Sequence, residues 1–313
     1  MLWGMASCFG ILALAARCSE PPAPSGAPRD GAGPLQATAQ SPDGARPLPT
    51  LPASSAAQAS AAVTAEPSAS LAPTAGASDP AGTKQAGNSS QQSFEAAKRV
   101  LKRTIYAEHR QTIYCGCSFD EKLAIDFASC GYVPKSDTSR AHRVEWEHVV
   151  PAEAFGQSFA AWRDGDPQCV DHKGKSFRGR ECARKASVEF RYLEADLYNL
   201  YPEIGELNGL RSNFSMAEIP GQATEFGRCD VKIADDKFEP RPEVRGDVAR
   251  TYLYMEAAYP GRGIVSHKNR KLFDAWSSSD PPDRWECDRA RKIEAVQGNI
   301  NEIVAAACRA AGL

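Results

Sequence analysis

The chain has 313 residues, with 37 basic and 39 acidic side chains, and its formal net charge is −2. This balance excludes a nucleic-acid binder with one wholly basic face, so any phosphate-binding surface must be a local patch. Length alone permits one or two domains, but ten cysteines are too many for an ordinary cytosolic enzyme without metal or redox chemistry.

The chain begins with a short apolar run, from Phe9 to Ala16, followed by small residues. The run is too short to span a bilayer as a helix and is typical of a signal-peptide core. We therefore predict that residues 1–18 are a signal peptide or a lipoprotein leader, and that the protein is periplasmic or secreted. Cys18 is a candidate for a lipid anchor, although Arg17 stands where a lipoprotein signal has a small residue.

Residues 19–92 consist mainly of Ala, Pro, Ser and Gly and contain no aromatic residue. Such a segment cannot bury enough apolar surface to offset the entropy lost on ordering. We interpret it as a disordered linker, so the folded domain is predicted to occupy residues 93–313.

The order of hydrophobic patterns along this domain predicts an α+β fold with more helix than sheet. Apolar residues from Phe94 to Ile105 recur every three or four positions, which predicts a helix capped by Ser93. Residues 143–148 have the alternation of a strand, and Pro151 begins a short helix. A second β pair is expected within residues 227–238, turning at Asp235-Asp236. The last third is helical, with one apolar stripe over residues 248–259 and another over residues 293–307.

Eight of the ten cysteines lie in the folded domain, and none has C-x-x-C spacing. Zinc-ribbon and thioredoxin-type sites are therefore disfavoured. An even number of scattered cysteines predicts four disulfide bonds and an oxidising compartment, without fixing their pairing. These residues are Cys115, Cys117, Cys130, Cys169, Cys182, Cys229, Cys287 and Cys308.

The predicted strand ends in Glu147-His148, which are candidates for chemistry. Hydrolysis of a phosphodiester requires a base to activate water and a hard cation to neutralise phosphate charge. Histidine suits the first role, and a carboxylate suits the second because Mg²⁺ prefers oxygen ligands. A lone histidine after a strand is more often structural, so this pair does not decide the function by itself.

Residues 194–213 hold several Asn and acidic residues within an apolar frame. Asn and Asp are poor residues for a helix interior, so their density needs another explanation. Asn208 is a candidate metal ligand through its amide oxygen. The alternative is that Asn208 is a helix C-cap beside Gly209.

A basic segment follows Cys169 and extends past Cys182. Its six cations are Lys173, Lys175, Arg178, Arg180, Arg184 and Lys185. Such a charge run is usually only a solvated face. Interrupting glycines and the two flanking cysteines nevertheless favour an ordered loop that can contact phosphates, followed at once by an apolar helix.

Together these segments resemble the bacterial endonuclease I family, which comprises periplasmic and secreted nonspecific nucleases. The resemblance covers nearly all of residues 93–313, in order, and includes all eight domain cysteines. It implies an α+β, mostly helical single domain with a ββα-metal active-site core and disulfide bonds. The motifs that carry it are Tyr114 to Cys117, Arg143 to Ala152, Glu194 to Asn199, Gly205 to Asn213, Gly227 to Cys229, Ala249 to Met255 and Trp285 to Cys287.

The resemblance implies roles for the residues of this core. His148 is expected to be the general base, and Glu147 and Asn208 are expected to hold one Mg²⁺, with Mn²⁺ or Ca²⁺ as substitutes. A family arginine just before the fifth domain cysteine contacts the phosphate. That residue is expected to be Arg180, with Arg178 as the alternative register.

Further contacts to nucleic acid are expected from Lys173, Lys175, Arg178 and Arg184. Double-stranded and single-stranded DNA, and also RNA, are the expected substrates, cut to 5′-phosphate and 3′-hydroxyl ends. Because only the backbone is engaged, no sequence preference is expected. No stable protein partner is implied, and a monomer is expected.

The alternative function is that of a catalytically inactive, exported nucleic-acid-binding protein. Such a protein would have lost the base or a metal ligand. His148, Glu147 and Asn208 are all present, which favours the enzyme.

Overall fold

In the computed structural model, residues 86–313 are described, and the predicted leader, Cys18 and most of the predicted linker lie outside them. The helices are α1 Phe94–Val100, α2 Phe127–Cys130, α3 Ala152–Gly156, α4 Ala160–Arg163, α5 Arg180–Ala186, α6 Val188–Glu194, α7 Gly205–Arg211, α8 Arg245–Ala258, α9 His267–Ser279, α10 Arg284–Gln297 and α11 Glu302–Ala310. The strands are β1 Ser118–Phe119, β2 Ile125–Asp126, β3 Val144–His148, β4 Leu200–Ile204, β5 Ser215–Met216, β6 Lys232–Ala234 and β7 Lys237–Glu239. Within the described range, no helix has the length and apolar character needed to cross a membrane. The α+β, mostly helical prediction is confirmed.

The first helix follows the predicted pattern. The Ser93 hydroxyl accepts a hydrogen bond from the Ala96 amide, and α1 continues as a π-helical turn over Leu101–Ile105. The apolar face is fully buried at Ala97 and Leu101. Packing begins before the predicted domain start at residue 93. Asn88 is buried, and its backbone N–H donates to the Tyr259 hydroxyl at 2.8 Å.

The centre of the domain is a two-stranded antiparallel sheet followed by a helix. Strand β3 pairs with β4 over its whole length, with Glu147 opposite Tyr201, and α7 begins directly after β4. Just past the end of β3, the Asn199 side chain hydrogen-bonds to the backbone as a neighbouring strand would. It accepts from the Val150 amide at 2.7 Å and donates to the Val150 carbonyl at 2.9 Å. This buried pairing explains one of the asparagines that the sequence left unexplained.

The second predicted β pair is confirmed and is part of a larger sheet. Strands β6 and β7 are antiparallel, and the turn between them places Asp235 and Asp236 at positive φ, 49° and 56°. Asp is among the few residues that tolerate this left-handed conformation. Strand β5 adds to β7 in parallel, which the sequence did not predict.

The last third is helical, as predicted, but the apolar stripe over residues 293–307 does not belong to one helix. Helix α10 ends at Gln297, and the next residue, Gly298, has a left-handed φ of 86°. Asn301 then caps α11 by accepting from the Val304 amide. Glycine after a helix and asparagine before the next are the usual stop and start signals, and here they override the apolar spacing.

All eight domain cysteines form disulfide bonds, as predicted. The pairs are Cys115–Cys229, Cys117–Cys130, Cys169–Cys182 and Cys287–Cys308. The Cys169–Cys182 bond joins the predicted basic loop to α5. Because α5 begins at Arg180, the last three cations of the basic segment lie on a helix rather than in the loop.

A buried guanidinium, that of Arg289 on α10, joins the C-terminal helices to the central sheet. It is 3% exposed and donates to the Tyr106 hydroxyl at 2.7 Å and to the Tyr201 hydroxyl at 3.0 Å. It also donates to the Leu197 and Leu200 carbonyls just before and within β4. A buried charge of this kind is stable only while its donors are satisfied.

We predict that Arg289→Met lowers the free energy of unfolding by about 3 kcal/mol or more, because it leaves buried carbonyls and hydroxyls without a donor. Arg291→Met is the matched control, since Arg291 is 56% exposed and pairs with Asp288 on the surface. It should change the free energy of unfolding by about 0.5 kcal/mol or less. Urea unfolding of both variants tests this, and equal effects would contradict it.

Candidate active site

A cleft of about 930 Å³ opens beside the ββα core. Four residues expected at the site from sequence, His148, Glu147, Asn208 and Arg180, line it together. Its walls carry eight basic side chains and four acidic ones, although the whole chain is slightly acidic. The basic residues are Lys98, Arg99, Lys102, Arg103, Arg140, Arg143, Arg180 and Arg211.

His148 ends β3 and is buried against the ring of Phe94, whose centroid lies 4.8 Å away. Its Nε2 lies 2.8 Å from the backbone carbonyl of Glu194. Because a carbonyl only accepts, Nε2 must carry the proton and the lone pair must be on Nδ1. Burial, aided by the nearby charge of Arg180, lowers the pKa of His148 to about 3. The imidazole is therefore neutral, and Nδ1 is its acceptor nitrogen.

Glu147 precedes the histidine and is 3% exposed. Its Oε1 accepts from the Tyr114 hydroxyl at 3.0 Å and pairs with Arg211 Nη1 at 3.2 Å. Burial raises the pKa of Glu147 to about 7, while the charge of Arg211 opposes this rise. Because this pKa lies near neutrality, one more cation in the cleft would stabilise the ionised form of the carboxylate.

Asn208 lies inside α7, so it is not the helix C-cap that the sequence left open. Its Nδ2 donates to Glu145 Oε2 at 3.2 Å, which leaves its carbonyl oxygen as the acceptor available to the cleft. Glu147 and Asn208 thus offer one carboxylate and one amide oxygen, a donor set that suits magnesium. No group of three His, Cys, Asp or Glu that could bind a metal occurs within residues 86–313. A metal here would therefore depend on these two oxygens, completed by water and substrate.

Arg180 is the first residue of α5, and its position separates it from Arg178. Its Nε donates to Glu194 Oε1 at 2.5 Å, while its Nη2 is buried without a hydrogen-bond partner in the described part of the chain. Arg178 is exposed, donates to the Arg163 carbonyl and lines a different depression. Of the two arginines that the sequence left open for this role, Arg180 lines the cleft and Arg178 does not.

Glu194 connects the histidine to this arginine, a role that sequence reasoning missed. Its carbonyl binds His148, and its carboxylate, 2% exposed, binds Arg180 and Arg184. These partners outweigh the effect of burial and lower the pKa of Glu194. No local pattern reveals this role, because its three partners are ten or more residues away.

The basic wall of the cleft was also missed by sequence reasoning, which placed phosphate contacts on the loop after Cys169. Lys173 and Lys175 are exposed but do not line the cleft, and Arg184 is paired with Glu194 and Glu181. The first helix and its π-helical turn instead supply four cations of the cleft wall, namely Lys98, Arg99, Lys102 and Arg103. Their spacing of four residues was the available signal, since it aligns side chains on one helix face.

Comparison with known proteins finds related sequences over most of the described part of the chain. The model of the Endonuclease I family matches residues 93–308. An extracellular deoxyribonuclease of Aeromonas hydrophila is 40% identical over 224 residues, which cover 70% of this chain and 90% of that protein. A periplasmic deoxyribonuclease of the same organism is 40% identical, covering 70% and 87%. Endonuclease-1 of Buchnera aphidicola is 36% identical, covering 69% and 82%.

We predict that the His148 imidazole stays neutral from about pH 8 to about pH 4, with its proton on Nε2, because burial opposes its charged form and the Glu194 carbonyl fixes the tautomer. Nitrogen-15 NMR of the histidine side chains in EDTA measures both properties, and His148→Ala identifies the signal. A His148 imidazole that titrates near its usual pKa, or carries its proton on Nδ1, would contradict this arrangement.

Proposed function

This chain belongs to the endonuclease I family, and from that premise we propose that it hydrolyses phosphodiester bonds of DNA, and also of RNA, without sequence preference. The observation that carries the proposal is a neutral histidine with a free Nδ1, held beside two oxygen donors in a cleft lined by cations. This hydrolysis requires a base, a site for a cation and a surface that binds phosphate.

In the proposed reaction, His148 is the general base. Its Nδ1 accepts a proton from the water that attacks phosphorus, and the imidazolium formed then releases that proton to solvent, which regenerates the base. The bond between phosphorus and the 3′ oxygen then breaks, and that oxygen takes a proton from solvent. The products carry a 5′-phosphate and a 3′-hydroxyl. The Glu194 carbonyl keeps Nδ1 turned towards the cleft throughout, because it holds the opposite nitrogen.

Arg180 is proposed to bind the scissile phosphate. Its Nη2 is buried without a hydrogen-bond partner among the described residues, and a phosphate oxygen would satisfy it. The pairing of Nε with Glu194 keeps the guanidinium plane fixed before substrate arrives. An arginine restrained in this way stabilises charge that develops on phosphate without having to reorganise.

Glu147 and Asn208 are proposed to hold one Mg²⁺, which Mn²⁺ or Ca²⁺ can replace. When bound, the ion supplies electrostatic stabilisation to the phosphate and to the leaving 3′ oxygen. One carboxylate and one neutral amide leave most of its charge uncompensated by protein. Tyr114 and Arg211 hold Glu147 Oε1, so they limit the directions in which this carboxylate can turn.

The substrates are proposed to be double-stranded and single-stranded DNA and RNA. The exposed lysines and arginines of the cleft suit phosphates, which carry no sequence information. We further propose that the protein acts as a monomer, without a stable protein partner. Export to the periplasm or the medium is proposed from its relatives among extracellular and periplasmic deoxyribonucleases and from its four disulfide bonds, which require an oxidising compartment.

The expected result is that the oxidised protein cuts plasmid DNA with Mg²⁺ and not with EDTA. His148→Ala should lower the rate by about 100-fold or more, the range expected when a general base is removed. Gel assays with supercoiled plasmid and with a structured RNA, at matched protein concentration, measure both activities.

Plasmid that is bound but left uncut with every divalent ion would refute the enzyme and support the inactive nucleic-acid-binding protein. Cutting of DNA alone would remove RNA from the proposal. Undiminished cutting by His148→Ala would remove the histidine from its proposed role.

We also predict that the double variant Lys98→Ala, Lys102→Ala weakens DNA binding and makes the dependence of log Kd on log salt shallower by about 2, because two phosphate contacts are lost. Lys173→Ala, Lys175→Ala removes the same charge from the loop outside the cleft and should leave the salt dependence nearly unchanged. Fluorescence anisotropy with a short duplex in EDTA measures both. If the loop variant changes the salt dependence more than the cleft variant does, the phosphate-binding surface lies on the loop instead.

A further inference from the structure

One carboxylate at the edge of the cleft, that of Glu145, accepts four hydrogen bonds. Arg140 donates from Nε at 3.0 Å and from Nη2 at 2.7 Å. Arg143 donates from Nη2 at 3.0 Å. The fourth donor is Asn208 Nδ2, at 3.2 Å. Glu145 therefore connects two cleft arginines to the asparagine of α7.

This arrangement determines which end of the Asn208 amide faces the cleft. An asparagine can present either its NH₂ group or its carbonyl oxygen to a neighbour. A carboxylate paired with two guanidinium groups only accepts hydrogen bonds, so it selects the NH₂ end. The carbonyl oxygen of Asn208 must then lie on the opposite side, as a ligand group for a cation.

Two glycines in α7 leave room for Arg140 and Glu145 to approach the helix. Gly205 and Gly209 lie four residues apart, on one face of the helix. A Cβ on Gly209 would lie 2.6 Å from Arg140 Nη1, and a Cβ on Gly205 would lie 2.5 Å from the Arg140 carbonyl. Glycine inside a helix costs about 1 kcal/mol relative to alanine. The close approach of Arg140 and Glu145 accounts for two glycines in so short a helix.

We propose that Glu145 is a positioning residue for the metal site: it orients the Asn208 amide so that its carbonyl oxygen binds a divalent cation. This inference rests on the proposed function, in which Glu147 and Asn208 hold that cation. Groups that orient a metal ligand are typically worth 10-fold to 100-fold in metal affinity. Glu145 is expected to act in this range without contacting the ion.

Glu145→Gln separates the orientation of the Asn208 amide from a general structural effect of this side chain. It keeps the size of the side chain but can present either a donor or an acceptor, so both orientations of Asn208 become possible. Affinity for Mn²⁺ should fall by about 10-fold. Glu95→Gln is the control for lost charge, because Glu95 lines the same cleft but is largely exposed and pairs with Lys98. It should stay within about twofold of wild type.

Asn208→Asp provides a test that a merely structural role would fail. A carboxylate has no amide to orient, and it would be repelled by Glu145. In this background Glu145→Gln should lower the affinity for Mn²⁺ much less than it does beside asparagine, because no amide orientation remains to be lost. The same substitution thus weakens binding strongly beside asparagine and only slightly beside aspartate.

The measurement is titration of the full, oxidised chain with MnCl₂ in the absence of nucleic acid, following free Mn²⁺ by electron paramagnetic resonance. The variants are E145Q, N208D, E145Q/N208D, E95Q and N208A, each checked by urea unfolding. A loss beside asparagine that is largely absent beside aspartate supports the positioning role. Equal losses from E145Q in both backgrounds, or no loss in either, overturn it. Wild-type affinity in N208A would overturn the proposed ligand set itself, and the inference with it.

Discussion

A single buried guanidinium, that of Arg211, holds the ββα core in the form that the site requires. It ends α7, is 1% exposed, and pairs with Glu147 Oε1. It also donates to the carbonyls of His148 and Val149, just where β3 ends. One charge therefore neutralises a buried carboxylate and fixes the backbone at the histidine. Removing it would leave Glu147 buried without its cation, a change that commonly costs about 3–5 kcal/mol.

The same arrangement, a carboxylate paired with arginine and used to orient a neighbour, recurs on two other sides of the cleft. Glu194 holds Arg180 through its carboxylate and His148 through its carbonyl, and Glu145 pairs with Arg140 while it accepts from Asn208. In each case arginine stabilises the carboxylate, and the remaining hydrogen-bonding capacity fixes a group that faces the cleft. The Cys169–Cys182 bond extends this restraint to the start of α5.

Local patterns predicted the elements, whereas the placement of charges depended on contacts between distant segments. The alternation in residues 143–148 and the Asp235-Asp236 turn were sufficient to predict strands, because each depends on neighbouring residues. The apolar spacing after Ile293 was misleading because Gly298 adopts a left-handed conformation that no helix can continue through. The basic segment from Lys173 was conspicuous in sequence, yet sequence density of charge does not reveal which helix face borders a cleft.

The slightly negative net charge of the chain is compatible with the proposed phosphate-binding cleft, because the acidic residues of the cleft are nearly all engaged. Glu145 and Glu147 are paired with arginines, and Glu95 with Lys98. Several cations, including the exposed Lys102 and Arg103, carry no such partner within the cleft lining. The local potential is therefore more positive than the composition suggests. Low-dielectric walls concentrate such a field, so a polyanion is attracted to the cleft rather than to the protein as a whole.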